Sequence, residues 1–198
     1  MNTNFIIAST IGLSLLSTTI SSCAGPNRRG GYESAAYTTV KSDGAFEIRD
    51  YPELVVATAA MPKNGRNQNS AFMTLFGYIS GKNKAEQKIA MTTPVFANTE
   101  GDQPEMSFVV PVDVAKSGAP QANNSNITIT KRPAGRFAVY RYSGRWTKAR
   151  EAQARETLVK WTKEQKLTPT SAMEKASYDP PFTLPSMRRN EILVRINK

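Results

Sequence analysis

Lys88-Ile89-Ala90-Met91-Thr92-Thr93-Pro94-Val95 is the stretch on which the fold turns: it follows a helical pattern and a polar turn, then changes to β-branched residues, as a strand ending at Pro94 would. Taken alone it implies only a buried strand. Just before it, Phe72, Leu75, Phe76 and Ile79 recur at i, i+3, i+4 and i+7, so they line one face of a helix that Asn69 or Ser70 can cap and Gly81 ends. The polar loop Lys82-Asn83-Lys84-Ala85-Glu86-Gln87 joins helix to strand. Beyond it, Met106, Phe108 and Val110 share one face of a further strand expected to pair alongside.

Working outward, residues 37–41 and 45–51 flank the turn Ser42-Asp43-Gly44, and Phe46 and Ile48 alternate with Glu47 and Arg49, as in a hairpin buried on one face. Pro52 breaks that strand, and residues 54–61 are so continuously apolar that the next strand should be covered on both sides. Residues 115–126, rich in Gly, Pro, Ser and Asn, read as an exposed connection. The order then repeats. Strands near Ile127–Thr130 and Phe137–Val139, a helix over about 147–165 with Ala154, Leu158 and Trp161 on one face, and strands over 172–178 and 191–196 follow. Hairpin, helix and two strands, twice over, imply an internally duplicated α+β domain: about eight strands around a shared core, with two helices packed outside.

Composition narrows the chemistry. The 198 residues carry 26 Lys and Arg against 16 Asp and Glu, a net charge of +10, with no histidine and one cysteine. Without histidine there is no Ser/His or Cys/His nucleophile and no imidazole metal ligand; one cysteine allows neither an intrachain disulfide nor a CxxC site. The basic residues are spread over both halves, with no basic helix or nucleic-acid motif, so no nucleic-acid partner is expected. A solvated basic surface, in contact with anionic lipid headgroups, is the alternative meaning of the charge. Glu47, Glu105 and Glu174 are the strand-borne carboxylates a hydrolase would draw on, but their spacing pairs none of them, and the chain is not expected to be an enzyme.

Residues 1–22 carry no charged side chain, 5–20 form an apolar core diluted by Ser and Thr, and Ser21-Ser22 precede Cys23. This resembles a bacterial lipoprotein signal, cleaved so that Cys23 becomes a lipid-bearing N-terminus. An ordinary secretory signal, an uncleaved membrane anchor and a buried free cysteine are the other readings. The expected organisation is a signal at 1–22, a flexible tether at 23–36 and a domain at 37–198, held at the cell envelope by lipid. Ala24 rather than Asp after the cysteine favours the periplasmic face of the outer membrane if the cell is Gram-negative.

FEIRDYP at 46–52, GYISGKN at 77–83 with KIAMTTPV at 88–95, and YDPP at 178–181 followed by RRNEI at 188–192, all in this order, resemble the SOUL haem-binding protein family over about residues 37–198. The resemblance implies a distorted antiparallel β-barrel of two pseudo-symmetric halves, similar to bacterial effector-binding domains. It also implies reversible binding of haem or another tetrapyrrole in an apolar cleft, in a protein expected to be a monomer. By position, Asn69 and Phe72 fall where the family's first helix meets the porphyrin, and residues 182–189 where a C-terminal loop approaches it. Met73 and Phe76 would extend the apolar wall, and Arg188 and Arg189 would face the carboxylates. A Phe/Met stripe at helical spacing serves equally as core, and the two arginines equally as salt bridges to Asp179 or Glu191. The histidine ligation of some family members cannot carry over; Tyr78 and Met73 are the candidate iron ligands. A tethered protein that binds a different amphipathic ligand or a protein partner is the alternative.

Overall fold

The computed structural model describes residues 28–62, 68–99 and 103–197. The signal at 1–22 and Cys23 lie outside them. Strands β1 (Arg28–Arg29) and β2 (Tyr32–Ser34) come first, then β3 (Thr38–Asp43), β4 (Phe46–Tyr51) and β5 (Leu54–Ala60). Helix α1 (Gln68–Ile79) leads through β6 (Thr92–Thr93) to β7 (Val95–Asn98) and β8 (Glu105–Val109). The short α2 (Val112–Ser117) opens the connection to β9 (Ile127–Arg132) and β10 (Gly135–Tyr142). Helix α3 (Lys148–Glu164), β11 (Glu174–Ser177) and β12 (Asn190–Ile196) complete the chain, with a 3-10 turn at Pro185–Met187.

Nine strands form one strongly curled, antiparallel half-barrel in the order β3-β4-β10-β12-β11-β7-β8-β5-β9. The expected duplication is visible in that order. Each half supplies a first strand (β4 or β9), a second (β5 or β10), a helix and a last pair (β7 and β8, or β11 and β12). The order is symmetric about the β7–β11 contact, and each half's first strand pairs with the other half's second strand: β4 with β10, β9 with β5.

Alternation along the strands divides the side chains between two faces. On the outer face, Leu75 and Tyr78 of α1 pack on Ala57, Ala59, Met106 and Phe108, while Leu158 and Trp161 of α3 pack on Ala138, Ile192 and Val194. The inner face gathers Tyr51, Val56, Phe96, Phe137, Val139 and Leu193. Strand β5 contributes to both faces, Val56 to one and Ala57 to the other, as its unbroken apolar run requires.

Several boundaries differ from the sequence reading. Residues 88–95 are not one strand: Lys88 makes only an isolated bridge to Ser80, and the Ile89 amide donates to the Ile79 carbonyl at 2.8 Å, which ties this stretch to the end of α1. The sheet strand begins after Pro94, where the chain is free of that constraint. Helix α1 already includes Asn69 and Ser70. A third helix and a small second sheet, β1-β2-β6, join the expected elements. Residues 28–36, assigned by sequence to the tether, take part in the fold: β2 runs parallel to β6, the Ser34 and Thr93 hydroxyls share a 2.7 Å hydrogen bond, and Ala35 is buried.

The loop after α1 is held by one side chain. Asn83 is fully buried; its amide donates to the Tyr78 and Gln87 carbonyls (3.0 and 2.7 Å), and its oxygen accepts from the Ala85 and Gln87 amides (3.2 and 3.1 Å). Substituting Asn83→Ala strands these groups without partners and should cost about 2–3 kcal/mol. Urea unfolding of the variant measures this, and an unchanged midpoint contradicts it.

Candidate functional site

The site lies where the two halves meet. In the β7–β11 pair, Val95 faces Ser177 and Ala97 faces Lys175, and these four side chains share the outer face. Because α1 covers the sheet on one side and α3 on the other, this central strip has no helix over it. It forms the floor of a cleft of about 390 Å³. Asn69, Phe72 and Phe76 of α1 make one wall, the two rings stacked at 6.1 Å; Tyr178-Asp179-Pro180-Pro181 make the other. Met91, Thr93 and Met106 also face it, and Tyr32 of β2 reaches its edge.

Lys175 is the charge at the floor. It is 9% exposed, and its ammonium lies 4.0 Å from the centre of the Trp146 ring. The Trp146 indole donates to Glu151 at 2.6 Å, and Glu151 also accepts from Arg155 at 2.8 Å and Thr99 at 3.0 Å. Burial alone would raise the Glu151 carboxyl, but the bonds from Arg155 and Trp146 hold it below its ordinary value. Burial pushes Lys175 below the ordinary lysine value, and the nearby Glu151 charge offsets part of this. The cleft thus combines an apolar interior with one desolvated cation beside a committed carboxylate.

Of the residues singled out by sequence, Asn69, Phe72 and Phe76 line the cleft. Met73 is 60% exposed and lies outside it. Tyr78 points the other way, into the α1 core, where its hydroxyl donates to the Pro120 carbonyl at 2.8 Å and burial raises its pKa. Neither candidate iron ligand therefore faces the cleft. Arg188 and Arg189 do not line it either. Arg188 donates to the carbonyls of Pro181 and Thr183, bracing the loop behind the cleft wall. Arg189 binds Glu191 at 2.6 Å and the Tyr37 hydroxyl at 3.0 Å.

Glu191 is the hub of a buried polar cluster on the inner face. It accepts two bonds from Arg49 (2.8 and 2.9 Å) and one from the Tyr178 hydroxyl at 2.9 Å, in addition to Arg189. Asp179 takes both arms of Arg29 at 2.9 Å and the Arg189 amide at 2.6 Å. The strings FEIRDYP, YDPP and RRNEI therefore meet in one network that fixes the architecture, with Tyr178 and Asp179 backing the cleft wall.

The carboxylates weighed for hydrolysis stand elsewhere. Glu47 is bound to Arg49 at 2.7 Å, Glu105 is exposed on β8, and Glu174 pairs with Arg132 on the face opposite Lys175. Burial raises Glu174, but it lines no part of the cleft. Among the described residues no three carboxylate, histidine or cysteine side chains converge on a metal position.

Sequence reasoning missed Met91, Val95, Ala97, Lys175 and Ser177. The last four are found only by pairing β7 with β11, to which the internal repeat was the available clue.

No curated protein matches the chain. Among solved structures it is similar to the C-terminal domain of EcmrR (TM-score 0.52, 16% identity, 82% of this chain and 98% of that one). It is also similar to a hydrolase from Listeria innocua (TM-score 0.55, 9% identity, 80% and 94%). A third likeness is to EcmrR in its complex with DNA (TM-score 0.55, 15% identity, 77% and 57%). At these identities the likeness is one of fold, an effector-binding-like architecture. The sequence profile described as SOUL heme-binding protein matches residues 32–195, most of the chain, and the protein belongs to the SOUL heme-binding protein family.

Proposed function

We propose that this protein binds haem or another tetrapyrrole reversibly in the cleft between the halves, without a histidine ligand, at the cell envelope, where a lipid on Cys23 holds it. The carrying observation is the cleft itself: mostly apolar walls, which also carry Asn69 and Asp179, over a floor that includes the buried Lys175. A flat macrocycle with carboxylate substituents matches both parts. Phe72, Phe76, Val95 and Met106 contribute apolar burial, and Lys175 meets a carboxylate. The volume, about 390 Å³, falls in the range of small-molecule sites, roughly 300–1,000 Å³. Haem would bring an iron centre; the groups of this chain that could meet it are the Met91 and Met106 thioethers and the Lys175 amine. Apolar burial of the ring and the contact of Lys175 with a carboxylate do not involve the iron, so metal-free porphyrin should bind saturably as well.

An absorbance titration of the chain from Ala24 onward with haem and with metal-free protoporphyrin tests this. Saturable shifts with both are expected, and no shift with either would overturn the reading. Lys175→Met keeps the length of the side chain and removes its charge. It should weaken protoporphyrin binding about tenfold while leaving stability equal or higher, since a desolvated charge is removed. Equal affinity of variant and parent would remove Lys175 from the site. Affinity should also fall as pH rises through the depressed Lys175 value, because the neutral amine no longer attracts a carboxylate.

A further inference from the structure

The loop after the cleft wall presents an apolar surface to solvent. Phe182 is 85% exposed, Leu184 64% and Met187 65%. It is also a built loop: Arg188 donates to the Pro181 and Thr183 carbonyls across it, and the Gly144 amide donates to the Pro185 carbonyl at 2.8 Å. Around its base, Arg29, Arg141, Arg188 and Arg189 border one hollow, and Arg28 joins Arg29 and Arg189 at the next. Asp179 and Glu191 neutralise Arg29 and Arg189, whereas among the described residues Arg188 bonds only neutral carbonyls, and Arg28 and Arg141 are exposed. Three positive charges therefore lie in the hollows bordered by Arg188 and Arg189, at the end of the loop that carries three exposed apolar side chains.

The course of the chain indicates what covers this face. Arg29 donates to the Met187 carbonyl at 2.9 Å, so the N-terminal segment leaves the domain beside the loop. Cys23 stands five positions before Arg28. Five extended residues span at most about 18 Å, so attachment to a bilayer at or before Cys23 would keep the loop close to the lipid surface.

We propose that this face is a bilayer contact: Phe182, Leu184 and Met187 enter the interface of an anionic leaflet, and Arg28, Arg141 and Arg188 meet lipid phosphates. The choice of a bilayer as the occupant rests on the envelope attachment proposed above, but the contact itself needs neither a tetrapyrrole nor the lipid on Cys23, so vesicle binding by the unanchored chain is read separately from tetrapyrrole binding. The test uses the chain from Ala24 onward, which retains every described strand and core and lacks the proposed anchor at Cys23.

Co-sedimentation with vesicles of phosphatidylcholine, alone or mixed with phosphatidylglycerol, is the test. Binding is expected to the mixed vesicles and to weaken with salt. Combined Phe182→Ser, Leu184→Ser and Met187→Ser should reduce it about a hundredfold, and Arg141→Gln about fivefold. A Phe182→Trp variant should shift its emission to the blue with mixed vesicles. Absence of binding by the parent chain overturns the proposal. So does binding that follows salt but ignores the three serines, which would signify diffuse charge. A change of oligomeric state on serine substitution, with vesicle binding intact, would assign the face to a second copy of the chain and equally overturn it.

Discussion

Glu191→Ala is expected to lower the unfolding free energy by about 3–5 kcal/mol, because it removes one side of a fully buried ion pair. Glu191 and Arg49 are both wholly inaccessible, and the carboxylate satisfies two arms of Arg49, one of Arg189 and the Tyr178 hydroxyl. Without it, Arg49 retains Glu47 alone among carboxylates, and the buried guanidinium charge is left largely uncompensated. Arg49→Met should cost a comparable amount, and the double variant less than the sum, since an apolar pair buries no charge. Urea titration of the four proteins checks this; a loss below about 1 kcal/mol for Glu191→Ala would rank the pair with surface bridges. The sign of the pH dependence follows. Burial would raise the Glu191 carboxyl, but the Arg49 and Arg189 charges hold it below the unfolded value of about 4.3. Its contribution is then complete above that value and fades as pH falls through the folded one. The Glu191→Ala protein should accordingly lose less stability on acidification than the parent.

The second large effect is on the cleft. Ser177→Trp places an indole on the floor opposite Val95, in a space of about 390 Å³. Ser177 is only half-buried and faces the cleft, so the ring can occupy the empty volume rather than displace the core. Porphyrin affinity should fall at least about a hundredfold while the unfolding free energy moves by less than about 1 kcal/mol. Retained affinity in a folded variant would place the ligand elsewhere on the protein.

Much of the fold was legible because its signals are local. The hairpin, the two-sided β5 and the face of α3 each follow from periodicities within about twenty residues. The duplication was legible as order, but the exchange of first strands between the halves was not, since no local pattern encodes which distant edge a strand meets. The cleft followed the same division. Phe72 and Phe76 stood out on α1, yet the apolar arc of that helix is wider than its core needs: Ala71, Leu75, Tyr78 and Ile79 pack inward, leaving Phe72 and Phe76 at the cleft and Met73 in solvent. Periodicity alone could not divide that arc, and Tyr78 and Met73, put forward as iron ligands because the chain has no histidine, fall on its other sides. Lys175 read as one more charge of a basic chain, its meaning set by Ala97 beside it and Trp146 above it. Arg188 and Arg189 read equally as ligand groups and as salt bridges to Asp179 or Glu191; Arg189 does pair with Glu191, closing a buried cluster, while Arg188 braces a loop.

The crossed pairing of β4 with β10 and β9 with β5 means that each half completes the sheet of the other. A protein assembled this way is in effect a dimer whose two subunits are joined by residues 118–126. Its association is unimolecular, at an effective concentration set by the linker rather than by the amount of protein present. Dilution therefore cannot separate the halves, and a cleft built on their junction stays assembled however scarce the protein becomes.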